Sequence, residues 1–473
     1  MYIPTIGLEI HAELKTQTKM FCGCLNDGLE KEPNKNTCPV CLGHPGTLPT
    51  INKEAVKKVI RVGFALGGTV AEYSQFDRKS YFYPDLPKGY QISQYEHPIV
   101  KSGTLNGVRI TRVHLEEDAG RLVHDREGKT LVDFNRAGVP LMELVTEPDV
   151  KNAEEAVVFA RELQLILKYL GASDADMENG QMRIEANVSI ASENAEKLGS
   201  KVEVKNINSF KAVHDAIEYE IKRQEKWLNE GKRVIQETRG WNDTKKITES
   251  QRTKEEANDY RYFPEPDLPP MNLKEAFDLE TLKAETPELP EEKRRRFVQE
   301  FGVPKEQIEI LIYDPELADY FEAAASELGT YAEKPDFQLL ANYLTSDLKG
   351  IMNAQSIMFK DLKIEPEHLA HLVGLIQQGK ISSRIAKDLL PKMLETGEDP
   401  ENLIKTDNIE LVSDERALGT IADEVIAKNE KSATDYKNGK ENALQFLVGQ
   451  IMAKTKGTAD PEIAKKILKE RLS

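Results

Sequence analysis

The chain has 473 residues, which is too long for one ordinary hydrophobic core and therefore predicts two to four domains. Hydrophobic residues make up 39% and charged residues 30%, and no run approaches the roughly 18 to 20 consecutive apolar residues of a membrane span, so the sequence excludes a membrane-spanning protein. The net charge of −16 argues against unselective nucleic-acid binding through bulk charge.

The N-terminal residues predict a strand that begins almost at once. They have neither the basic and apolar regions of a signal peptide nor the Arg- and Ser-rich pattern of a transit peptide, so we expect a cytoplasmic protein. Along the apolar run Ile3–Ile10, side chains alternate between two faces, and Glu9 and His11 share one of them. On this pattern the two residues are either metal ligands or a structural Glu–His pair.

All four cysteines lie within twenty residues, as two close pairs separated by thirteen residues. Scattered cysteines are typical of disulfide-stapled secreted proteins, whereas two close pairs place four thiolates on a tetrahedron, which suits zinc. A site with four protein ligands is closed and therefore structural. The pattern predicts a zinc knuckle over residues 22–41; the alternative is four reduced cysteines in a core. The expected ligands are Cys22, Cys24, Cys38 and Cys41.

An aromatic and basic segment, Phe76–Tyr90, follows and includes Lys79. Its composition is typical of a loop that stacks a nucleotide or the end of an RNA, but an ordinary ordered loop has the same composition. After the apolar run Val108–Leu115, Glu116 and Glu117 open a run of three consecutive carboxylates. Crowded carboxylates repel one another unless a cation compensates, so this run predicts a Mg²⁺ site; the alternative is a solvated turn.

The segment Arg183–Ile190 alternates polar and apolar residues, which predicts a strand with one polar face. Arg183 and Glu185 share that face, so a cation and a carboxylate stand side by side. Short strands of this kind, interrupted by helices, indicate an α+β fold around an antiparallel or mixed sheet over the first part of the chain.

Lys205 precedes a long segment, 210–228, in which apolar residues recur at helical spacing. We expect a helix there that is capped by Asn208 or Ser209 and ends at Gly231. A phosphate near the start of such a helix would find free backbone N–H donors.

Beyond the proline-rich stretches near residues 267–270 and 287–296, the pattern becomes helical. Helical stripes are expected in three segments, and a break is expected over Gly397–Thr406. The stripes are Leu317, Tyr320, Phe321, Ala324 and Leu328; then Leu369, Leu372, Val373 and Ile376, ended by Gly379; then Leu444, Leu447, Val448 and Ile451. The predicted domains are 1–293, an α+β domain; 294–405, an all-α domain; and 406–473, a small helical tail.

The tail is basic although the chain is acidic. From Lys431 to Ser473 there are nine Lys or Arg and five Asp or Glu, a balance of +4. This segment either contacts a polyanion or presents a solvated helical face.

Several reaction classes are excluded because their motifs are absent from the sequence. The sequence has no Walker A loop, no Gly-rich dinucleotide fingerprint after a strand and no GxSxG nucleophile elbow. If zinc takes all four cysteines, no thiol remains as a nucleophile, so covalent catalysis is not expected.

Taken together, these segments closely resemble the GatB/GatE family, the B subunits of aspartyl/glutamyl-tRNA amidotransferases. The resemblance spans the whole chain, and its tail, including Gly379–Arg384, resembles the family's YqeY-type region. The matching blocks are Gly7–Leu14, Cys38–Gly46, Arg78–Gln91, His114–Gly120, Asp133–Glu143, Glu203–Ser209 and Tyr260–Leu268.

The resemblance implies a cradle domain, a helical domain and a YqeY-like tail that binds tRNA. It implies an enzyme, a carbon–nitrogen ligase that uses glutamine as amido donor. With ATP and Mg²⁺ the protein would bind misacylated Glu-tRNA(Gln) or Asp-tRNA(Asn) and phosphorylate the side-chain carboxylate. Ammonia released by the A subunit, an amidase, would then displace phosphate, and the small C subunit would complete the heterotrimer. Structural Zn²⁺ is expected beside these cofactors.

The same resemblance implies which residues form the site. We expect Glu9, His11 and Glu116 or Glu117 as ligands of Mg²⁺ and ATP, with Glu185 close by. Lys79, Arg183 and Lys205 are candidate contacts to phosphate or carboxylate.

Two other interpretations compete with this one. The protein could be a non-catalytic tRNA-binding scaffold that only positions its partner's active site; the carboxylate run argues against this, since a scaffold needs no cation site. The archaeal relative, the E subunit, carries a large insertion that this chain is too short to contain. The sequence does not state whether Glu-tRNA(Gln), Asp-tRNA(Asn) or both are substrates.

Overall fold

The fold is described from a computed structural model that covers residues 2–124, 128–253, 260–406, 415–455, 459 and 461–472. It contains two compact units, Met1–Pro290 and Glu291–Ser473. The domain boundaries expected at 293 and 405 stay predictions. In the covered ranges, no helix has both the length and the apolar character needed to cross a membrane.

The first unit is rich in β-structure, as expected of an α+β chain. Its strands are β1 (Tyr2–Glu13), β2 (Thr69–Val70), β3 (Tyr73–Ser74), β4 (Asp77–Ser80), β5 (Tyr90–Ser93), β6 (Val100–Lys101), β7 (Thr104–Leu105), β8 (Val108–Glu117), β9 (Arg121–His124), β10 (Thr130–Asp133), β11 (Pro140–Thr146), β12 (Met182–Ser192), β13 (Val202–Ile207), β14 (Glu237–Asn242), β15 (Ile247–Thr253), β16 (Phe263–Pro264) and β17 (Met271–Asn272). Its helices are α1 (Lys53–Ala65), α2 (Ala153–Tyr169), α3 (Phe210–Asn229), α4 (Leu273–Ala276) and α5 (Leu279–Ala284).

One large sheet organises this unit, and its strand order is β15-β14-β13-β12-β1-β11-β8-β6-β2, with β7 beside β8. Among the described pairs β13 and β14 run parallel and the others antiparallel, so the sheet is mixed. Strand β1 lies at the centre because it pairs with β11 on one side and β12 on the other.

The alternation of β1 assigns its two faces. Ile6, Leu8 and Ile10 are at most 1% exposed and belong to the core. Helices α1, α2 and α3 pack on that apolar face and contribute Val59, Phe159 and other side chains to the same core. The polar residues of β1 therefore project from the opposite face, where the functional residues gather.

Local capping explains where α3, the long helix of this unit, begins and ends. Ser209 is its N-cap, with the hydroxyl accepting a bond of 3.1 Å from the Ala212 N–H, so of the two expected caps Ser209 is the one used. The helix ends at Asn229, and Gly231 takes a left-handed conformation (φ +73°). Such a glycine terminates helices without steric cost.

A small three-stranded sheet, β16-β4-β5, is built beside the large one. Strand β4 carries Lys79 and pairs with β5 along its length and with β16 at its start. Strands β9 and β10 form a separate two-stranded ribbon, and β3 pairs with β17.

The second unit is helical, which confirms the expected change of character. Its helices are α6 (Pro290–Phe301), α7 (Lys305–Ile312), α8 (Pro315–Tyr331), α9 (Phe337–Asn342), a π-helical turn (Tyr343–Leu348), α10 (Lys349–Gln355), a 3₁₀ turn (Phe359–Asp361), α11 (Pro366–Gln377), α12 (Ser383–Thr396), α13 (Pro400–Thr406), α14 (Glu415–Lys428), α15 (Glu430–Lys437), α16 (Glu441–Lys454) and α17 (Pro461–Leu472).

Two expectations about this unit need correction. The segment Gly397–Thr406, near which a break is expected, is not irregular throughout, because Pro400–Thr406 forms α13. Gly397, at φ +77°, ends α12, and Asp399 then caps α13 through a 2.8 Å bond from the Glu401 N–H. In α11 the buried face includes Leu375, whereas Ile376 is half-buried, because α8, α9, α12 and α13 all pack around this helix.

Candidate functional site

A cleft of about 1100 Å³ lies over the polar face of the large sheet. Its floor comes from β1, β8, β11, β12 and β13, and β4, β5 and Tyr260–Tyr262 lie along its other wall. Seven of the eight residues expected in catalytic roles line it: Glu9, His11, Lys79, Glu116, Arg183, Glu185 and Lys205.

Strand register brings these residues together. On β12, Glu185 lies directly opposite Glu9, and Arg183 lies opposite His11. On the other side of β1, His11 is opposite Glu143 of β11. Directly opposed residues project from the same face, so one face collects acidic and basic groups from several strands.

A first cluster contains His11, Glu116 and Glu143, whose ligand atoms lie within 4.8 Å of one another. His11 Nε2 is 3.6 Å from Glu116 Oε1 and 3.4 Å from Glu143 Oε2. Burial lowers the pKa of His11, but hydrogen bonding and attraction by Glu143, together with attraction by Glu116, raise it to about 9. Burial opposes ionisation of Glu143, yet His114 and His11 hold its pKa well below the usual range.

A second cluster contains Glu9, Glu185 and Glu203, again within 4.8 Å. Lys205 Nζ lies 2.7 Å from Glu185 Oε2 and 3.4 Å from Glu203 Oε1. Burial raises the pKa of Glu9, and repulsion by Glu143 and Glu185 adds to the rise. Burial also acts against ionisation of Glu185, but Lys205 brings its pKa below the ordinary value.

Both clusters fit a divalent cation by their donor chemistry. Carboxylates this close repel one another unless a cation intervenes. The second cluster offers oxygen ligands, as Mg²⁺ prefers, while the first adds one imidazole nitrogen. In the covered part of the chain, Nδ1 of His11, Nδ1 of His114 and Oδ1 of Asn187 are buried and have no hydrogen-bond partner. These unused polar atoms lie on residues in or next to the two clusters.

Lys79 approaches the clusters from the opposite wall. Its ammonium lies 4.9 Å from the ring centroid of Tyr260. Burial lowers the pKa of Lys79, but attraction by Glu116, Tyr262 and Glu143 outweighs it, and the pKa is raised. Tyr262 stacks on Tyr95, with centroids 4.6 Å apart and ring planes at 16°. The wall thus presents a cation among aromatic rings.

The structure does not bring Glu117 into this cleft. Consecutive side chains of a strand point to opposite faces, so Glu116 and Glu117 diverge. Glu117 lies 2.5 Å from Lys88 Nζ and accepts a 2.9 Å bond from the Ile92 N–H. It lines a separate pocket of about 200 Å³ together with Cys22 and Cys41.

The four cysteines cluster, with all Sγ atoms within 4.8 Å of one another. The Cys38 N–H donates to Cys41 Sγ at 3.1 Å, as a tight turn requires. Hydrogen bonding from Cys22 lowers the pKa of Cys41 to about 5, whereas burial raises that of Cys24 to about 11. Four mutually close sulfurs are the donor set that tetrahedral zinc uses, so these residues fit it.

A buried lysine adjoins the cysteines. Lys19 is 0% exposed, and its ammonium lies 3.9 Å from Cys41 Sγ and 3.3 Å from the Phe134 carbonyl oxygen. A positive charge at this position offsets negative charge on the sulfurs.

Sequence reasoning gave no role to four residues of the cleft, namely Glu143, Glu203, His114 and Arg136, and it included Asp118 only as a member of the carboxylate run. The alternation of Glu203 with Lys205 was a usable signal, since both belong to one strand face. Glu143 gave no local signal, because its role depends on β11 pairing with β1.

Two family models and several known proteins match this chain. Residues 4–278 match the family model of the GatB/GatE catalytic domain, and residues 319–472 match that of the GatB domain. A Thermoanaerobacter sp. (strain X514) protein is 46% identical over 480 residues, covering 100% of this chain and 99% of its own. A Thermus thermophilus protein is 48% identical over 476 residues, and one from Carboxydothermus hydrogenoformans 45% over 484, with the same coverage. All three are named as the B subunit of an aspartyl/glutamyl-tRNA(Asn/Gln) amidotransferase.

Proposed function

The chain belongs to the GatB/GatE family, and from that premise we propose that its cleft activates the side-chain carboxylate of a misacylated tRNA by phosphorylation. The family role is tRNA-dependent amidation, a carbon–nitrogen ligation with glutamine as amido donor. The observation that carries the proposal is the convergence of two carboxylate clusters and several cations in one cleft.

The proposed reaction has two steps. A carboxylate oxygen attacks the terminal phosphorus of ATP, and ADP leaves. Ammonia then attacks the activated carbonyl carbon, phosphate leaves and an amide remains. A carboxylate resists attack by ammonia until one of its oxygens becomes part of a phosphate leaving group. Phosphoryl transfer depends on positioning and charge neutralisation more than on covalent help from the protein.

In this proposal the two carboxylate clusters bind Mg²⁺, and a lysine on the aromatic wall contacts the phosphate. Mg²⁺ would be held by the two clusters, which are Glu9 with Glu185 and Glu203, and His11 with Glu116 and Glu143. Bound Mg²⁺ would neutralise charge on the phosphate oxygens. Lys79 faces the clusters from the aromatic wall and is suited to contact the transferred phosphate, and Lys205 holds Glu185 in its ionised form.

Zinc has a different proposed role. Cys22, Cys24, Cys38 and Cys41 would hold one structural Zn²⁺ that fixes the knuckle, residues 22–41, directly after β1 in the chain. Because β1 carries Glu9 and His11, the knuckle supports the site without taking part in the chemistry. Glu117 belongs to this side of β8 and is suited to a supporting role, not to Mg²⁺ and ATP.

Partners and location follow from the same proposal. The chain would act in a cytoplasmic heterotrimer with the amidase, or A, subunit, which supplies ammonia, and the small C subunit. Glu-tRNA(Gln) and Asp-tRNA(Asn) are both proposed substrates. The names of the relatives, which include both tRNA species, support this breadth.

The test is amidation by the reconstituted complex carrying Glu9→Ala or His11→Ala. We expect loss of ATP-dependent amidation of both misacylated tRNAs and retention of glutaminase activity by the partner. Glu154→Ala is the matched control, since this glutamate is 70% exposed on α2. Normal amidation by both cleft variants would contradict the assignment. A complex that amidates without ATP consumption by this chain would favour the non-catalytic scaffold.

A further inference from the structure

Asp118 is a buried carboxylate that two arginines hold from the cleft side. It is 5% exposed, and its oxygens lie 3.1 Å from Nε and Nη2 of Arg136 and 3.1 Å from Nη2 of Arg183. Both guanidinium groups therefore hydrogen-bond to this one carboxylate, which fixes the planes of the two guanidinium groups.

Backbone hydrogen bonds fix the position of Asp118, the residue that both arginines contact. The Asp118 N–H donates to the Val139 carbonyl at 2.8 Å, and the Gly138 N–H donates to the Asp118 carbonyl at 2.9 Å. Gly138 has φ +85°, a conformation that side-chain-bearing residues rarely adopt. This turn places Arg136 across Asp118 from Arg183, which comes from β12.

Both arginines line the cleft that holds the acidic clusters. Arg183 lies directly opposite His11 in the strand register, so Arg183 borders the first cluster. Their side chains are 25% and 32% exposed, and Arg183 uses only Nη2 on Asp118. The remaining edge of its guanidinium has no hydrogen-bond partner among the residues that the structure covers.

The donor geometry of the arrangement selects its ligand. Two guanidinium groups share the oxygens of one aspartate, so part of their N–H donor capacity is left for a ligand. A guanidinium group pairs with a carboxylate through charge-assisted hydrogen bonds. A triphosphate carries more charge, and the two acidic clusters already offer it cation sites.

We propose that Arg136 and Arg183 bind the side-chain carboxylate of the misacylated aspartate or glutamate, with Asp118 as their positioning residue. This rests on the proposed function. The α-carboxyl of the amino acid is esterified to tRNA, so the side-chain carboxylate is the one anionic group on the acyl moiety. Each carboxylate oxygen has two lone pairs, so an oxygen that accepts a guanidinium N–H keeps one lone pair for phosphoryl transfer next to the first cluster.

The test uses Arg136→Lys and Arg183→Lys in the reconstituted complex. Lysine keeps the charge but loses the fork, so we expect KM for misacylated tRNA to rise about ten- to a hundredfold. KM for ATP should stay within about twofold, and glutaminase activity should be unchanged. The variants should also lose their preference for Glu-tRNA(Gln) over Gln-tRNA(Gln) in competition binding, because the product lacks the carboxylate. Asp118→Asn should move the same KM in the same direction.

Arg109→Lys is the matched control, since Arg109 makes a similar fork on Asp149 at an exposed site. Thermal melting of each variant checks that the fold is kept. A rise in KM for ATP with unchanged KM for misacylated tRNA would make this a phosphate site and overturn the proposal, as would no change in either. Failure of the unsubstituted complex to amidate would instead contradict the proposed function.

Discussion

At the scale of single residues, each ionisable group of the cleft has a charge that depends on one or two neighbours. Glu143 stays ionised between His11 and His114, and Glu185 stays ionised beside Lys205. Removal of one partner leaves the other as an uncompensated buried charge, which costs more than the pair contributes. Substitutions in this cleft therefore act on their neighbours as well as on the site they occupy.

The same dependence gives a prediction for the cysteine cluster. Lys19→Met keeps the length of the buried side chain but removes the charge beside Cys41, so zinc should be held less tightly. A residue that supports a metal ligand in this way typically changes affinity about ten- to a hundredfold. Competition with a colorimetric chelator measures the change. Lys15→Met is the control, because Lys15 is 65% exposed; equal zinc release by both variants would contradict the role of Lys19.

Some of these residues could be predicted from the sequence and others could not. Glu9 and His11 share a face because strand periodicity is local, and the cysteine pairs define their own cluster. The choice between Glu116 and Glu117 needed the phase of β8 relative to its neighbours. Glu143 and Arg136 enter the cleft through pairing and turns between distant segments, which no local pattern contains.

At the scale of elements, strand β4 holds Lys79 over the cleft, and Arg78 joins β4 through ion pairs to the segment that follows β16. Arg78 donates from Nε and Nη2 to Glu265 at 2.6 and 2.8 Å, and the Glu265 side chain is fully buried. Arg78 Nη2 also lies 3.2 Å from Asp267 Oδ2, and backbone bonds of 2.9 Å run from the Glu265 N–H to the Phe76 carbonyl and from the Ser80 N–H to the Tyr260 carbonyl. Two short strands offer few ladder bonds, so the fork adds to these contacts.

Glu265→Gln should therefore loosen the aromatic wall without unfolding the unit. Hydrogen bonds to charged groups contribute about 1.5–3 kcal/mol, so we expect the local opening free energy to fall by a similar amount. Faster amide hydrogen exchange in β4 and β16 is the measurement. Glu249→Gln, which breaks an exposed pair with Lys245, should leave that exchange unchanged. If both variants exchange alike, the fork does not hold the wall.

Elements differ in how far sequence predicts them. Helix α3 was predicted with its cap and its end, because Ser209, Gly231 and the apolar stripe are local signals. Helix α13 was missed, since Gly397 and Pro400 indicate a break while Asp399 and Pro400 also start a helix. The order of the ten-stranded sheet was beyond reach, because it depends on pairings between segments far apart in sequence.

At the scale of the whole molecule, an acidic chain ends in a basic helical segment with its own small core. Helices α14, α16 and α17 bury Leu418, Leu447, Ile451 and Leu468 together. A segment that buries its own apolar side chains is removable with less damage elsewhere.

Deletion of the residues after Glu410 should weaken tRNA binding while the first unit keeps its zinc. Lysine and arginine contacts to phosphate release counterions, so the truncated chain should also show a shallower dependence of affinity on salt. Filter binding at several salt concentrations and zinc content measure the two effects. Unchanged affinity and slope would exclude the tail as a tRNA contact.

The divergence of Glu116 and Glu117 has a consequence for how this protein can change over time. Strand β8 works as a partition, with the cluster of His11, Glu116 and Glu143 on one side and the cysteine pocket on the other. Insertion or deletion of one residue upstream within the strand would exchange the two glutamates between compartments, whereas a change of two residues would restore the phase. Evolution and engineering of this strand are therefore restricted to even steps.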